Sequence, residues 1–478
     1  MQYSIVNLKD IQKHKDFRCD AEYYHPFYTD FCNSVDNTSP LSTYIEDGYR
    51  VVYENTYILN DKDIESSSLP NFLQAADIKT PMIQKEKMGK VCEEDWLRYK
   101  KGRIKPGELL IEVKGKAEKV AIVPEDFPTK TLVSGSLYKM IIKEKEYPEY
   151  ILTYLLGKYG SSFKNRSKTN LLISFINKNE LYNIPVPKKS NAFKAFISTC
   201  VKTSISFNKK SNLIYLDAQE TLLSEFGLAN WQPKHELSFV RKSSDFENAE
   251  RFDAEYFQPK YDEVLNAIKS IKHKPLGKVA SYKKGFEVGS EAYQEHGIPF
   301  IRVSDISHKG IDHFEKRISK ELYEELDSKY TPHKDDVLMT KDGTIGITFV
   351  VDKTISAVLS GAFLKLKPKI DIEKEYLALV LNSIIGSQQI DKIAGGAIIA
   401  HLKPSDAEQI IIPLLSDEKQ KQIVNKVLEA KEAQNKSLKL LEIAKNGVDK
   451  AIEKNESSAD AWMKQELDRL DVDLGGAA

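Results

Sequence analysis

The chain has 478 residues, 41% of them hydrophobic and 29% charged, with 70 Lys and Arg balanced by 70 Asp and Glu. That length exceeds one ordinary core and predicts two to four domains. Zero net charge excludes a grip on nucleic acid by bulk positive charge, so any such grip would need local Lys/Arg patches. Cys19, Cys32, Cys92 and Cys200 form no C-x-x-C pair, and no basic, apolar leader follows Met1. No run of eighteen apolar residues occurs, so a reducing, cytoplasmic setting without a membrane span is expected.

From the N terminus, the first informative stretch is residues 18–28, RCDAEYYHPFY. Apolar, β-branched runs at 109–113, 120–123 and 138–142 predict strands, and Glu149–Lys158 predicts a short helix. Ile184-Pro185-Val186-Pro187 closes this region. Residues 189–227 then offer a helical stripe through Phe193, Phe196, Ile197, Val201, Ile205, Leu213, Leu216 and Leu223.

The pattern then returns. Residues 251–261 read RFDAEYFQPKY, identical to 18–28 at seven of eleven positions without a gap. Weaker matches follow in the same order. Phe72–Ile78 aligns with Phe300–Ile306 at an offset of 228, Gly107–Leu110 with Asp335–Leu338, and Val133–Leu137 with Leu359–Phe363 at 226. Strands are again expected at 337–339, 347–351 and 363–366, a helix at Lys374–Ser383, and a closing Ile411-Ile412-Pro413-Leu414. Order retained through small insertions implies a tandem duplication of a mixed α/β module. A second long helix is capped near Ser416 and runs to about Glu453, roughly 50 Å. Its stripe of Val424, Val427, Leu428, Leu438, Leu441, Val448 and Ile452, spaced near 3.5, calls for a partner, and 189–227 is the candidate. Beyond Asn455 the tail is expected to fray or to need a partner.

The order of module, long helix, related module, long helix, with Gly297-Ile298-Pro299-Phe300-Ile301-Arg302-Val303-Ser304-Asp305-Ile306 opening the second module, resembles the specificity subunits of type I restriction-modification enzymes. Lys334–Gly346 is similar to that family's glycine turn, with Lys334-Asp335 where Gly-Asp is usual. Ile410–Leu414 with Glu418-Lys419-Gln420 resembles the start of its conserved helix, with Lys419 inserted. Gln74 stands at the Arg302 position of the first module. The resemblance implies an α/β (α+β) fold. Target recognition modules at 1–187 and 230–414 would be joined by long helices at 188–229 and 415–456. These would form an antiparallel coiled coil with pseudo-two-fold symmetry, followed by a tail at 457–478. It also implies a DNA-reading, non-catalytic subunit of a phage-defence complex, each module reading half of an asymmetric bipartite duplex site. Two methyltransferase subunits would methylate adenine using S-adenosylmethionine. Restriction/translocase subunits would use ATP and Mg, and this chain would bind no cofactor. A recognition subunit of a related two-subunit or methylation-based defence system, or a coiled-coil protein scaffold, stays open.

Candidate DNA contacts sit on polar turns. Arg302, Ser304 and Asp305 follow an apolar strand. Arg302 is either a bidentate guanine reader or the salt-bridge partner of Asp305. Lys341, Asp342 and Thr344 flank Gly343 in a turn able to approach phosphate, or form a plain hairpin. Lys114 and Lys116 are its first-module counterparts. Lys164, Asn165, Arg166, Lys168 and Asn170 form a loop dense in donors, or merely a solvated one; Lys283, Lys284 and His401 complete the set. The repeated Asp20, Glu22, Tyr23 and Asp253, Glu255, Tyr256 read differently. Residues retained between copies make the same contact twice. This would be a packing corner against the long helices anchored by Tyr23 and Tyr256, or a dock for two identical partners.

Catalysis finds no support. Glu112-Val113-Lys114 resembles a nuclease metal strand, but Thr340 replaces the carboxylate in the second copy. No Asn/Asp-Pro-Pro-aromatic motif, G-x-G loop or Cys/His cluster occurs.

Overall fold

A computed structural model describes residues 5–12, 17–26, 28, 35–51, 59, 69–85, 88–143, 146–169, 174–249, 251–311, 314–326, 328–394 and 401–475. The chain divides into two units, Met1–Lys209 with Gln434–Ala478, and Lys210–Ala433.

In the first unit a four-stranded antiparallel sheet runs in the order Ile45–Tyr49, Leu137–Ile142, Leu109–Glu112, Val120–Ile122. A three-stranded sheet places Asn71–Leu73 between antiparallel Gly89–Lys90 and parallel Thr131–Val133. Two small ribbons pair Ile78–Lys79 with Met82–Ile83 and Thr38–Pro40 with Pro185–Pro187. The fully buried strand Leu109–Glu112 explains why its apolar run is continuous rather than alternating.

The second unit repeats this plan. Its sheet runs Ala280–Lys284, Phe363–Pro368, Val337–Thr340, Thr348–Val350. Ile298–Ile301 lies between antiparallel Lys316–Ile318 and parallel Val358–Leu359. The ribbons are Ile306–Ser307 with Gly310–Ile311 and His273–Pro275 with Ile411–Pro413. Strand order and sense agree throughout, so the expected pair of similar mixed α/β modules is what the chain builds.

Single contacts repeat as well. Buried Tyr150 donates its hydroxyl to Pro187 O at 2.7 Å, and buried Tyr376 donates to Pro413 O at 3.0 Å. The predicted helices Glu149–Lys158 and Lys374–Ser383 are instead helix pairs, Pro148–Leu156 with Lys158–Arg166 and Lys374–Asn382 with Ile384–Ala394. Close approach of each pair depends on a glycine. A Cβ on Gly160 would sit 2.2 Å from Tyr154 O, and one on Gly386 would sit 2.2 Å from Leu381 O.

Two long helices span Asn191–Ser224 and Asp417–Glu453. Within the first unit they run antiparallel, with Ser204 opposite Ser437 and Asn208 opposite Gln434. Within the second, Thr221 meets Lys426 and Glu225 meets Lys419. The buried seam of the C-terminal helix follows a heptad, widened by Val424, Ala433, Leu440 and Ile443. Gln420, Val427, Leu441 and Val448 alternate with Ile423, Ala430, Ser437, Ala444 and Ala451. The expected stripe was partly misplaced, for Leu428 and Leu438 lie off this seam and are exposed, as are Leu213 and Leu216. Ala430, Ser437, Ala444 and Ala451 share the seam with the larger Ile423, Val427, Leu441 and Val448, because small residues let two helices meet closely.

The tail does not fray. Glu456–Leu470 is a helix whose N-cap, Asn455, accepts the Ser458 N–H, a bond of the kind worth about 1 kcal/mol. Ala459, Met463 and Leu467, one turn apart, are buried in the first unit's core. Gly447 makes room, since a Cβ there would meet Met463 Sδ at 2.2 Å.

Candidate nucleic-acid interface

Each unit has an exposed turn built on a buried carboxylate. After Ile298–Ile301 the chain enters the short turn Val303–Asp305, where Asp305, fully buried, accepts the Arg302 N–H at 2.9 Å. Asp77 does the same for the Gln74 N–H at 2.7 Å after Asn71–Leu73. Asp305 is therefore a buried structural cap, not the exposed side chain that the sequence reading expected of a base contact. Its burial follows from the backbone donor it satisfies. Arg302 is paired through Nη2 with Glu315 at 2.5 Å and lies 3.8 Å from Asp305. Ser304 is exposed and donates to Asp305 Oδ1 at 3.1 Å.

The second turn follows Val337–Thr340. Lys341 is buried, with Nζ on Asp342 Oδ2 at 2.5 Å, so it does not reach outward as expected. It occupies the place of buried Val113, because Lys341 O accepts from Leu402 N as Val113 O accepts from Ile176 N. Asp342 also bonds His401 Nδ1, and the two residues pair as an antiparallel bridge. Burial works to raise the Asp342 carboxyl, but the hydrogen bonds from Lys341 and His401 outweigh it and hold it below the ordinary carboxylate value. Gly343 and Thr344 are exposed. Gly343 adopts φ +67, a region that glycine enters without a steric penalty.

Arg302, Ser304, Asp342 and Gly343 come together around an open cleft of about 440 Å³, whose remaining wall includes Phe286, Tyr293, Phe300 and Ser360. The aromatic wall escaped the sequence reading, since Phe286 and Tyr293 precede the motif on irregular chain.

In the first unit Lys114 and Lys116 are exposed on the equivalent turn, where Lys114 pairs with Phe175 as Asp342 pairs with His401. The Glu112 carboxylate accepts the Glu118 and Lys119 N–H groups, which ties this turn down. No metal-binding group of acidic, His and Cys residues is present among the described residues. Lys283 and Lys284 are exposed at a strand end, Lys284 beside Glu287.

The expected donor-rich loop at 164–170 begins as the end of a helix, with Lys164, Asn165 and Arg166 in its last turn and Ser167 to Thr169 following as turn and irregular chain. Lys164 is buried, donates to Glu118 O at 3.2 Å, and burial pushes its pKa down to about 8. Arg166 donates to Tyr23 O and lies 4.2 Å over the Tyr23 ring. Neither reaches outward. Lysines on an amphipathic helix read as surface residues, and only packing shows that one is engulfed. Asn165 is exposed, Lys168 is half-buried, and Asn170 lies outside the described residues, as do residues 395–400.

The repeated motif forms a corner on these short helices, not on the long ones. Asp20 accepts the Tyr23 N–H at 3.0 Å and binds Arg18; Asp253 accepts the Tyr256 N–H at 3.0 Å and binds Arg251 at 2.8 Å. Arg18 donates to the carbonyls of Arg166, Ser167 and Lys168, and Arg251 donates to Ile393 O at 2.9 Å. Each arginine thus satisfies carbonyls at the end of a short helix. Tyr23 is buried and Tyr256 half-buried; Glu22 is exposed, while Glu255 binds Lys260 and Tyr261.

Residues 268–443 match the family model described as type I restriction modification DNA specificity domain. No curated protein matches. Among solved structures, the chain is similar to the S subunit of a type I restriction-modification system from M. genitalium, at 13% identity and TM-score 0.34, covering 92% of this chain and 96% of that one. It is also similar to a chain from a study of complex assembly and conformational transition of the type I R-M system, at 15% identity and TM-score 0.27, covering 92% and 98%. The HsdS subunit of Thermoanaerobacter tengcongensis follows, at 14% identity and TM-score 0.26, covering 88% and 97%.

Proposed function

We propose that this chain, whose residues 268–443 match the type I restriction modification DNA specificity domain model, reads duplex DNA as two unlike half-sites, one per unit. The observation that supports this most is one scaffold built twice with different side chains on its exposed turns: Gln74 and Lys114 in one unit, Arg302 and Asp342 in the other. A pair of identical turns would suit a symmetric target, and these suit an asymmetric one. In this reading Lys114, Lys116, Lys283, Lys284 and Thr344 hold phosphate, while Arg302, Ser304, Asp342 and His401 face base edges. Asn165, Lys168 and Asn170 remain candidate phosphate contacts.

The chain itself catalyses nothing and binds no cofactor in this proposal. Two methyltransferase subunits that use S-adenosylmethionine carry out adenine methylation, and restriction/translocase subunits supply ATP- and Mg-dependent steps. Methylome sequencing of cells carrying the gene with its methyltransferase partner tests the reading. Two different short sequences separated by a fixed gap are expected. A palindromic or continuous methylated site, or none, overturns it.

A further inference from the structure

The cleft in the second unit holds more than an edge-reading surface requires. Phe286, Tyr293 and Phe300 are among its lining residues, with Tyr293 and Phe300 tilted at 5.7 Å between ring centroids. Its polar lining residues are Glu287, Arg302, Ser304, Asp342 and Ser360. Two of its buried polar atoms, Arg302 Nε and Ser360 Oγ, have no hydrogen-bond partner. Ser360 is only 9% exposed. It is fixed beside Phe286 by backbone pairing, with Phe286 N donating to Leu359 O at 2.8 Å and Ser360 N to Ile301 O at 2.9 Å. Buried donors without partners are rare, and these two belong to residues that line one cleft, which points to a ligand that completes them. A volume of about 440 Å³ falls in the range of small-molecule sites.

We propose that this cleft takes up a single nucleobase drawn out of its stack, one that carries both an amino group and a carbonyl, namely guanine or cytosine. The inference rests on the DNA-reading function proposed above and names a ligand for its second unit. The ring stacks on the aromatic lining residues, as bases do on single-strand-binding platforms. Arg302 Nε donates to the base carbonyl and the Asp342 carboxylate accepts from the amino group, since each of its oxygens keeps a lone pair beyond Lys341 and His401. Ser360 Oγ bonds either group. Adenine lacks the carbonyl and thymine or uracil lacks the amino group, so each leaves one buried partner unmade. The first unit has Gln74 and Lys114 where Arg302 and Asp342 stand, so its equivalent turns lack that pairing of guanidinium and carboxylate.

Saturation-transfer NMR on the full chain with GMP, CMP, AMP and UMP tests this. Transfer to the base protons of GMP and CMP is expected, at least about fivefold stronger than to AMP and UMP, and lost in Phe286→Leu, where a stacking partner is removed. Ser360→Ala, which keeps the fold because it only deletes an unbonded hydroxyl, should weaken it severalfold with an unchanged thermal midpoint. Equal transfer to all four nucleotides, or transfer unaffected by Ser360→Ala, or none, overturns the proposal. Fluorescence anisotropy of the same chain with a mixed-sequence duplex at low salt separates the two ideas. Duplex binding without nucleotide transfer sinks the cleft alone, and loss of both sinks the DNA reading as well.

Discussion

In the first unit Gln74 opens a turn capped by buried Asp77, and in the second Arg302 opens the same turn capped by buried Asp305. Lys114 then stands exposed where Asp342 is tied to Lys341 and His401. The two units thus agree in topology and in internal contacts such as Tyr150 and Tyr376 on proline carbonyls, differ inside at Val113 and Lys341, and part company in charge at the tips. Internal positions are held by neighbours on all sides, so a change there costs packing or an unmet hydrogen bond. Exposed tips answer to whatever they touch. The difference between copies is therefore a map of what each unit is for.

If the scaffolds are equivalent, the same substitution should wound both alike. Gly160→Ala and Gly386→Ala each force a methyl against a carbonyl and should each cost about 3 kcal/mol in denaturant unfolding of the full chain. A large loss at one and none at the other would break the equivalence. The repeated corner sharpens it, because Arg18 is 8% exposed and Arg251 30%. Arg18→Ala should cost about 2 kcal/mol and Arg251→Ala about half that, and the reverse order would mean that burial does not set the value of this bond.

A third test concerns a residue without a charged twin. Lys164 keeps its proton in the unfolded chain up to its ordinary value of 10.5 but releases it near 8 when folded. Between those values the unfolded state binds more protons, so stability rises with pH. Lys164→Met should therefore stabilise most below pH 8, with the gain shrinking toward 10.5. A gain independent of pH would show the ammonium to be well accommodated. The smallest effects belong to the tips. Lys114→Ala with Lys116→Ala, or Lys283→Ala with Lys284→Ala, should each weaken duplex binding a few-fold at low salt and reduce the salt slope by about 1 per lost phosphate contact. An unchanged slope would remove that pair from the interface.

The duplication was legible because identical residues return in identical order, and the topology follows them strand by strand. Burial of charged residues was not. Asp305 and Lys341 sit in a phrase rich in polar residues, and only three-dimensional pairing shows that one caps a backbone N–H while the other fills the place of Val113. The tail helix was missed because its stripe of Ala459, Met463 and Leu467 is short and weakly apolar, and it is completed by the space over Gly447. Leu428 and Leu438 were credited to a seam that Ala430, Ala433 and Ser437 occupy. Hydrophobicity marks what can be buried, whereas helix contact selects what is small enough.

The inward carboxylates at 77 and 305 have a consequence for how such a protein changes. Because each loop is pinned from beneath by its own aspartate, residues 74, 76, 302 and 304 can be exchanged without loosening the mount. Under the proposed function, a new target preference needs only new fittings on an old socket, and one socket can be refitted while its sibling keeps its former taste.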